Sequence, residues 1–348
     1  MFDVAVVGGG VTGAMVAYFC QQAGLKVILY EKDAIAANAS GAAGAFISPR
    51  IGKGGPLQQL TNEAFNYAIE FYKHNFPYCF TQTGVYRIAK DNSDAKNFPT
   101  YQKHLQIPHT QKNYRQDAAF FFPQAGVVDA QRLCEALVED VTVIYKKIDL
   151  HSIEAKNVVL ATGAADPMVD LEYIGLRKTW GIRIDALTKG VIQNSLHKDI
   201  SISATDSGVV RIGATHEKDP VDKKQLVQKG ITHLIDAAKE LTGIEDIAYK
   251  RYYEGTRSAV RDYFPIAGKV VDSAKTLQQC AMVKKGIIPR NGIYYHKDLY
   301  MVGGTGGRGF VFAPFLADQL SQQIIKGVEV DKRVDPDRLF YKWARKLK

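Results

Sequence analysis

Short apolar runs and amphipathic stretches succeed one another along the chain, a pattern typical of strands connected by helices. The first apolar run, from Asp3 to Val7, is followed by a helical pattern from Ala14 to Ala23 and by a second apolar run from Lys26 to Tyr30. A strand, a helix and a second strand in this order predict a βαβ unit with parallel strands. The chain therefore opens on an α/β pattern.

The rest of the chain adds further elements of both kinds. Helical spacing of apolar positions predicts helices at Pro56 to Phe76, Asp129 to Glu139, Lys223 to Leu241 and Ala313 to Lys326. Apolar or alternating runs predict strands at Gly84 to Ala89, Val141 to Ile148, Asn157 to Ala161, Ile200 to Ala204, Gly208 to Ile212 and Leu299 to Val302. Several of these strands lie between Trp180 and Tyr253 around a single helix, which indicates an inserted β-rich domain.

These patterns predict an α/β plus α+β fold of two domains, which agrees with a length of 348 residues. We expect a Rossmann-like dinucleotide-binding domain formed by residues 1–80, 125–179 and 255–348. We expect a β-rich substrate domain formed by residues 81–124 and 180–254, inserted into the first.

Three glycines follow the first predicted strand in the spacing GxGxxG: Gly8, Gly10 and Gly13. Gly8 permits a tight turn, Gly10 lets the backbone approach a pyrophosphate, and Gly13 lets the helix pack closely on the strand. Val11 and Thr12 begin that helix, whose N-terminus favours phosphate. Glu31 ends the second strand eighteen positions after Gly13, where its carboxylate can bind a ribose diol. The segment predicts a dinucleotide site.

The choice between NAD and FAD depends on two other segments. The run from Lys32 to Gly44, which includes Ser40 and Gly41, is rich in small residues that let backbone approach a large flat ligand. This run resembles the flavin-side loop of FAD amine oxidases. A buried-strand pattern ending in Thr162 and Gly163 is similar to a motif of flavoproteins with two dinucleotide segments. Both favour FAD.

Composition narrows the class of protein. With 46% hydrophobic and 23% charged residues, the chain is typical of a globular protein rather than a disordered or fibrous one. No apolar run approaches the roughly 18 residues of a membrane helix. We expect no membrane association and, because the chain opens directly on a strand pattern, a cytoplasmic location.

Cysteine spacing and net charge bear on metals and partners. Cys20, Cys79, Cys134 and Cys280 form no CxxC pair, so we expect buried thiols and no metal site. The net charge of +9 favours a polyanionic partner such as nucleic acid, although charge alone is weak evidence.

Two late motifs carry a resemblance that covers nearly the whole chain. Gly255-Thr-Arg257 is continued by Arg261-Asp-Tyr-Phe-Pro265, and a glycine-rich turn runs from Gly303 to Gly309. With the N-terminal glycines, these motifs resemble the D-amino-acid oxidase-like superfamily of FAD enzymes, which includes glycine and sarcosine oxidases.

The resemblance implies roles for individual residues. It implies that Arg257 pairs with the substrate carboxylate and that Arg308 contacts the substrate from the flavin side, since a guanidinium grips a carboxylate through two hydrogen bonds. Tyr252 and Tyr253 could form a wall of the pocket, or pack in a core. The further FAD contacts it implies are Ile148, Gly304, Gly306, Gly307, Arg308 and Gly309, with a plain core role as the alternative for Ile148.

A closer similarity concerns the segments Arg50 to Tyr72, Pro123 to Gly126 and Asp335 to Lys346. These resemble the oxidase domain of the bifunctional tRNA-modification family MnmC, although the chain has no room for the methyltransferase domain of that family. The resemblance implies removal of the carboxymethyl group from 5-carboxymethylaminomethyl(-2-thio)uridine at the tRNA wobble position, with O2 as electron acceptor. By the same analogy Lys53 lies near the flavin and favours reduction of O2, or it is a solvated surface lysine.

Two functions thus remain open, with a third from another class. The first is a tRNA-modifying FAD oxidase, which the positive charge favours. The second is an oxidase or dehydrogenase of glycine, sarcosine or a D-amino acid. The third is a flavin-binding module without catalysis, which the presence of both Arg257 and Arg308 disfavours.

Overall fold

The computed structural model describes residues 1–287 and 292–347, so residues 288–291 and Lys348 of the predicted first domain lie outside the described part. The strands are β1 (Phe2–Val7), β2 (Val27–Glu31), β3 (Phe46–Ile47), β4 (Phe80–Thr81), β5 (Val85–Ile88), β6 (Thr110–Tyr114), β7 (Asp117–Phe122), β8 (Gly126–Val128), β9 (Thr142–Tyr145), β10 (Ala155–Leu160), β11 (Arg177–Leu187), β12 (Ser195–His197), β13 (Ser201–Ile202), β14 (Val209–Gly213), β15 (Ala248–Ala259), β16 (Ile266–Val271) and β17 (Tyr295–Gly303). The helices are α1 (Val11–Gln22), α2 (Pro56–Asn75), α3 (Asn92–Lys96), α4 (Phe98–Lys103), α5 (Ala130–Ala136), α6 (Lys223–Thr242), α7 (Ser273–Gln279), α8 (Gly309–Lys326) and α9 (Asp337–Ala344).

A six-stranded sheet in the order β16-β17-β10-β1-β2-β9 carries the N-terminal glycines. All its strand pairs are parallel except β16 with β17. Val4 to Val7 of β1 are buried, because a parallel sheet is covered on both faces. Helices α1 and α8 pack against each other, and α2 packs against α8. The carboxyl ends of the parallel strands meet at one edge, where a ligand site is expected.

An eight-stranded sheet in the order β15-β11-β14-β13-β12-β5-β7-β6 forms the second layer. Its pairs are antiparallel except β12 with β5. Side chains of β11 alternate between its two faces: Ile182 and Ile184 are buried in one core cluster with Leu234 of α6. Arg183, on the opposite face, reaches the carbonyl of Gly41 near the six-stranded sheet. One face of this sheet is thus directed toward the nucleotide-binding segments.

Helices α2 and α6 agree with their predicted bounds within a few residues, whereas the sequence predicts β11 and β15 only as part of a β-rich region and places the start of α8 too late. Helix α8 begins at Gly309, four residues before the predicted start at Ala313. Pro314 therefore lies inside the helix rather than in its first turn, where its missing N–H would cost least. The predicted domain boundaries at residues 180 and 254 fall inside β11 and β15, both of which belong to the eight-stranded sheet.

Candidate active site

A cavity of about 1260 Å³ lies between the carboxyl ends of the parallel strands and one face of the eight-stranded sheet. Gly8 after β1, Glu31 at the end of β2 and Gly163 after β10 line the first wall, and Gly181 of β11 and Gly213 of β14 line the second. The predicted site residues that line it are Gly8, Gly10, Val11, Thr12, Glu31, Lys32, Ser40, Ile148, Thr162, Gly163, Arg257, Gly304, Gly306, Gly307, Arg308 and Gly309.

The turn between β1 and α1 admits only glycine at two positions. Gly8 has a φ of +111°, and a Cβ there would lie 2.5 Å from the carbonyl oxygen of Ala161. A Cβ on Gly13 would lie 2.0 Å from the carbonyl oxygen of Gly8, so Gly13 sets the close approach of α1 to the preceding strand. Gly13 does not line the cavity, which agrees with a packing role.

Two polar side chains accept hydrogen bonds from main-chain N–H groups in and beside this turn. Glu31 accepts hydrogen bonds from the main-chain N–H of Gly9 at 2.6 Å and of Asp33 at 3.0 Å. An ionised carboxylate has about four acceptor positions, so Glu31 retains capacity for ribose hydroxyls. The Ser40 hydroxyl accepts from the Val11 N–H at 2.9 Å, at the N-terminus of α1 where phosphate is favoured.

The small-residue loop after β2 docks on the start of the arginine motif. The Thr256 N–H donates to Asn38 Oδ1 at 2.8 Å, and a Cβ on Gly255 would lie 2.7 Å from the Cα of Ala39. Gly41 approaches Ala36 closely, since its Cβ would lie 2.4 Å from that carbonyl oxygen. Gly41 itself does not line the cavity; its neighbours do. The loop, the helix N-terminus and Glu31 together fit the isoalloxazine, pyrophosphate and ribose parts of FAD.

Arg257 lines the far end of the cavity and is held by uncharged partners. Its Nη2 donates to the main-chain carbonyl of Thr215 at 2.5 Å, and its Nη1 donates to His216 Nδ1 at 2.8 Å. A Cβ on Gly181 would lie 2.5 Å from Nη2, so a glycine of β11 makes room for the guanidinium. Desolvation lowers the pKa of Arg257 below its ordinary value. In the described part of the chain no carboxylate forms an ion pair with it.

Arg308 lines the same cavity from the N-terminus of α8. Its Nη1 donates to the Ser48 carbonyl at 2.8 Å. Burial lowers the pKa of Arg308 to about 10, and the positive charges of Arg50 and Arg87 contribute. Arg50 also lines the cavity, and across residues 1–287 and 292–347 its guanidinium has no hydrogen-bond partner. The site therefore presents several positive charges to a bound molecule.

Sequence reasoning missed the two histidines that line this end, His197 and His216. His197 Nδ1 is 2.6 Å from the hydroxyl of Ser201 on the neighbouring strand. Desolvation, together with the positive charges of Arg87 and Arg308, lowers the pKa of His197 to about 3. His197 is therefore neutral near pH 7. Neither histidine belongs to a recognisable motif, so only the strand pairing could have revealed them.

Besides Gly13 and Gly41, three predicted site residues do not line this cavity. Lys53 is exposed in the loop before α2, and Arg50 lines the cavity instead. The Tyr253 hydroxyl donates to Asp185 at 3.2 Å, with the guanidinium of Arg183 stacked 4.0 Å from its ring. Tyr252 lies on the opposite face of β15, in a separate groove against α6. Strand alternation places Tyr252 on the α6 face of β15 and Tyr253 on the face that carries Arg257, where Tyr253 packs on Arg183 and does not line the cavity.

The motif around Arg257 also binds the C-terminal helix. Arg338 donates to both carboxylate oxygens of Asp262, at 3.2 and 3.3 Å, and to the carbonyls of Phe264 and Pro265. Lys342 adds a contact of 3.2 Å to the same carboxylate. Arg338 thus has a structural role, since it fixes the segment that follows Arg257.

Other features of the described residues bear on metals, thiols and membranes. No group of three or more His, Cys, Asp and Glu residues there could hold a metal ion. The four cysteines are unpaired, and burial raises the pKa of Cys20 to about 12. No helix in the same residues is both long and apolar enough to cross a membrane.

Comparison with known families decides the class of this site. The family model of FAD-dependent oxidoreductases known as DAO matches residues 3–323. The chain belongs to this family. The resemblance to D-amino-acid oxidase-like enzymes, the FAD cofactor and the oxidoreductase class predicted from the sequence are thereby confirmed.

Two curated relatives are the tRNA 5-methylaminomethyl-2-thiouridine biosynthesis bifunctional proteins MnmC of Shewanella amazonensis and Saccharophagus degradans. They are 24% and 25% identical over 99% and 92% of this chain. The chain spans only 60% and 52% of their lengths.

Solved structures support the predicted fold class. Glycine oxidase from Geobacillus kaustophilus aligns over 94% of this chain and 95% of its own, with a TM-score of 0.75 and 18% identity. Iminodiacetate oxidase from a Chelativorans species aligns over 96% and 99%, with a TM-score of 0.74 and 18% identity. The glycine-oxidase-like architecture is confirmed.

Proposed function

We propose that this protein is an FAD-dependent oxidase that removes the carboxymethyl group of 5-carboxymethylaminomethyl(-2-thio)uridine at the tRNA wobble position, leaving the 5-aminomethyl form. The observation that carries the proposal is Arg257, a guanidinium at the cavity wall whose partners are a carbonyl and a neutral histidine. Because those partners do not neutralise its charge, Arg257 can bind the carboxylate of an N-carboxymethyl amine.

Two further observations support a nucleic-acid substrate over a free amino acid. The MnmC relatives are named for biosynthesis of a modified tRNA uridine, and they match over nearly the whole chain. The net charge of +9 and the presence of Arg50 at the cavity favour a substrate with several negative charges. The proposed substrate implies a cytoplasmic location.

The reaction oxidises one C–N bond. The glycine methylene of the secondary amine loses a hydride and the nitrogen loses a proton, which gives an imine, and water then cleaves the imine to glyoxylate and the primary amine. Bound FAD supplies the two-electron acceptor for this oxidation, and O2 accepts those electrons to give peroxide. Arg257 holds the carboxylate and Arg308 lies near the flavin side, so the protein orients the methylene. His197 remains uncharged and adds no charge that would repel the amine.

Mass spectrometry of tRNA nucleosides tests the proposal. Purified FAD-loaded protein is incubated in air with tRNA that carries carboxymethylaminomethyluridine, and the wobble nucleoside is analysed. We expect loss of the carboxymethyl mass together with release of glyoxylate and peroxide. Unchanged tRNA would overturn the proposal.

A second function has one specific observation in its favour. The structural neighbours include oxidases of glycine and of iminodiacetate, and iminodiacetate is itself an N-carboxymethyl amine. Peroxide release from glycine, sarcosine, D-amino acids or iminodiacetate, with unchanged tRNA, would identify a small-molecule oxidase.

A further inference from the structure

An irregularity in β15 brings two tyrosines onto one face of the edge strand. Ala186 of β11 pairs with Tyr249 and Asp185 pairs with Arg251, so Lys250 is an extra residue in the register. Residues three apart on a regular strand point to opposite faces, but this bulge restores Tyr249 and Tyr252 to the same face. Both rings are partly open to solvent, with exposed fractions of 45% and 42%.

Helix α6 forms the opposite side of a groove of about 460 Å³ with these tyrosines. Lys223, Val227 and Ile231 follow one another at four-residue spacing along the helix and line the groove, as does Lys224. The groove combines exposed aromatic rings with ammonium groups at one end.

The groove carries a net positive charge, because Lys223 and Lys224 line it together with a single carboxylate, Glu254. Glu254 accepts a hydrogen bond from the indole N–H of Trp180 at 3.0 Å, and Asp222 caps α6 by accepting from the Gln225 N–H. Within residues 1–287 and 292–347, neither Lys223 nor Lys224 forms an ion pair. Lys223 lies 5.9 Å from the ring centre of Trp180.

Trp180 connects the groove to the cavity. Its main chain exchanges two hydrogen bonds with Glu217, of 2.9 and 2.8 Å. The neighbouring residue, His216, contacts Arg257 inside the cavity. Glu254, at the near end of the groove, precedes Arg257 by three strand residues, roughly 10 Å along β15. The groove therefore lies on the opposite face of the edge strand β15, and its Glu254 end is the one nearest the wall that holds the proposed substrate carboxylate.

We propose that this groove binds single-stranded RNA, namely the nucleotides that flank the reacting uridine in the anticodon loop. Their bases stack on Tyr249 and Tyr252, and their phosphates contact Lys223 and Lys224. Aromatic rings combined with a positive groove are the usual means of binding unpaired nucleotides without reading their sequence. A nucleotide whose base enters the cavity leaves its neighbours outside, where they pass around the edge strand β15 into the groove. This inference rests on the proposed tRNA substrate.

The test compares two substrates on two groove variants, Tyr249→Ala/Tyr252→Ala and Lys223→Gln/Lys224→Gln. The substrates are tRNA bearing carboxymethylaminomethyluridine and the corresponding free nucleoside. We expect each variant to lower kcat/KM on tRNA at least tenfold and on the free nucleoside less than twofold. The lysine variant should also reduce the slope of log affinity against log salt by about 1.4, roughly 0.7 for each single-strand phosphate contact.

Two control variants test whether the aromatic rings themselves and the position of the lysines matter. Tyr249→Phe/Tyr252→Phe keeps the rings and should retain tRNA turnover within about threefold. Lys326→Gln/Lys332→Gln removes the same charge from exposed positions at and after the end of α8 and should leave the tRNA kinetics near wild type.

Binding of an unmodified tRNA transcript distinguishes the two proposals from each other. If wild-type protein binds this transcript tightly and the groove variants bind it at least tenfold more weakly, the groove inference stands even where no tRNA oxidation is found. If wild-type protein oxidises tRNA while both groove variants keep wild-type kcat/KM, the groove inference is wrong and the function stands. Absence of any tRNA binding by the wild type would overturn both, and would leave a protein partner as the occupant of the groove.

Discussion

The hydroxyl of Tyr72 donates a hydrogen bond of 2.6 Å to the main-chain carbonyl of Phe310. Pro314 lies four residues after Phe310 in α8 and has no N–H with which to complete the helical hydrogen bond. Burial raises the pKa of Tyr72 well above its ordinary value, so the hydroxyl remains a donor. Helix α2 thus completes the hydrogen bonding of the helix that begins beside Arg308.

We expect Tyr72→Phe to lower the free energy of unfolding by about 1–3 kcal/mol, because a buried carbonyl then loses its donor. Urea unfolding of both proteins measures this difference. The matched experiment repeats the substitution in a Pro314→Ala background, where the alanine N–H can bond to Phe310. The loss in free energy of unfolding caused by Tyr72→Phe should be smaller in the Pro314→Ala background. An equal loss in both backgrounds would contradict the explanation.

This pair also shows why part of the structure could not be predicted from the sequence. Pro314 favours the first turn of a helix, so local reasoning starts α8 at Ala313. Tyr72 lies 238 positions away from Phe310, and its hydroxyl makes an interior proline tolerable. By contrast, Gly8 and Gly13 could be predicted because the turn that requires them is local.

The residues of the candidate site also fall into a group that the sequence could predict and a group that depends on distant strand pairing. The residues of the dinucleotide turn, such as Glu31, are brought together by one βαβ unit whose register follows from sequence order. His197 and His216 come together with Arg257 only through pairing of the strands of the second sheet. The positions of Tyr252 and Tyr253 depend on strand alternation and register, and the bulge at Lys250, which no local pattern revealed, sets the relation of Tyr252 to Tyr249.

We expect Gly13→Ala to weaken FAD binding at least tenfold. The new Cβ would lie 2.0 Å from the Gly8 carbonyl oxygen, so α1 must move away from the turn that holds the pyrophosphate. Flavin absorbance of the purified protein and titration of the apoprotein with FAD measure the effect. Gln22→Ala, an exposed change in the same helix, is the control and should bind FAD like the wild type.

The raised pKa of Asp337 predicts that the free energy of unfolding depends on pH. Burial and the neighbouring Asp335 raise the pKa of Asp337 from 3.8 to about 7, so the fold favours the protonated carboxyl. The resulting stability is fully present below about pH 4 and is lost as the pH rises through 7. Asp337→Asn should therefore raise Tm at pH 8 by roughly 1–2 °C, for a cost of about 1 kcal/mol, and leave it nearly unchanged at pH 4.

The control for this prediction is Asp140→Asn, which removes an exposed carboxylate elsewhere. Its Tm difference from wild type should not grow between pH 4 and pH 8. If Asp337→Asn showed the same difference at both values, the carboxylate would titrate normally in the fold.

We expect Arg257→Ala to retain FAD and lose at least a hundredfold in kcat/KM on any carboxylate substrate. The guanidinium contacts the cavity but not the dinucleotide turn, so cofactor loading should not depend on it. Arg257→Lys keeps the charge without the planar fork and should recover only part of the activity. Normal turnover by Arg257→Ala would show that the carboxylate binds elsewhere.

The contact between His216 and Arg257 predicts how carboxylate binding depends on pH. The imidazole Nδ1 accepts from Arg257 Nη1 at 2.8 Å, which requires an unprotonated Nδ1. Desolvation and the Arg257 charge both lower the pKa of His216, so this form is maintained at neutral pH. As the pH falls through that lowered pKa, the imidazolium repels the guanidinium and displaces it from its position against Thr215.

Methoxyacetate, a carboxylate without an oxidisable amine, serves as the probe of this contact. Its inhibition constant on wild-type protein should rise as the pH is lowered from 7.5 toward 5, a range in which its own carboxyl stays ionised. His216→Gln keeps a neutral acceptor for Arg257 and should show a constant value over the same range. If the two proteins gave the same pH profile, His216 would not control the position of Arg257, and the arginine would be held by the Thr215 carbonyl alone.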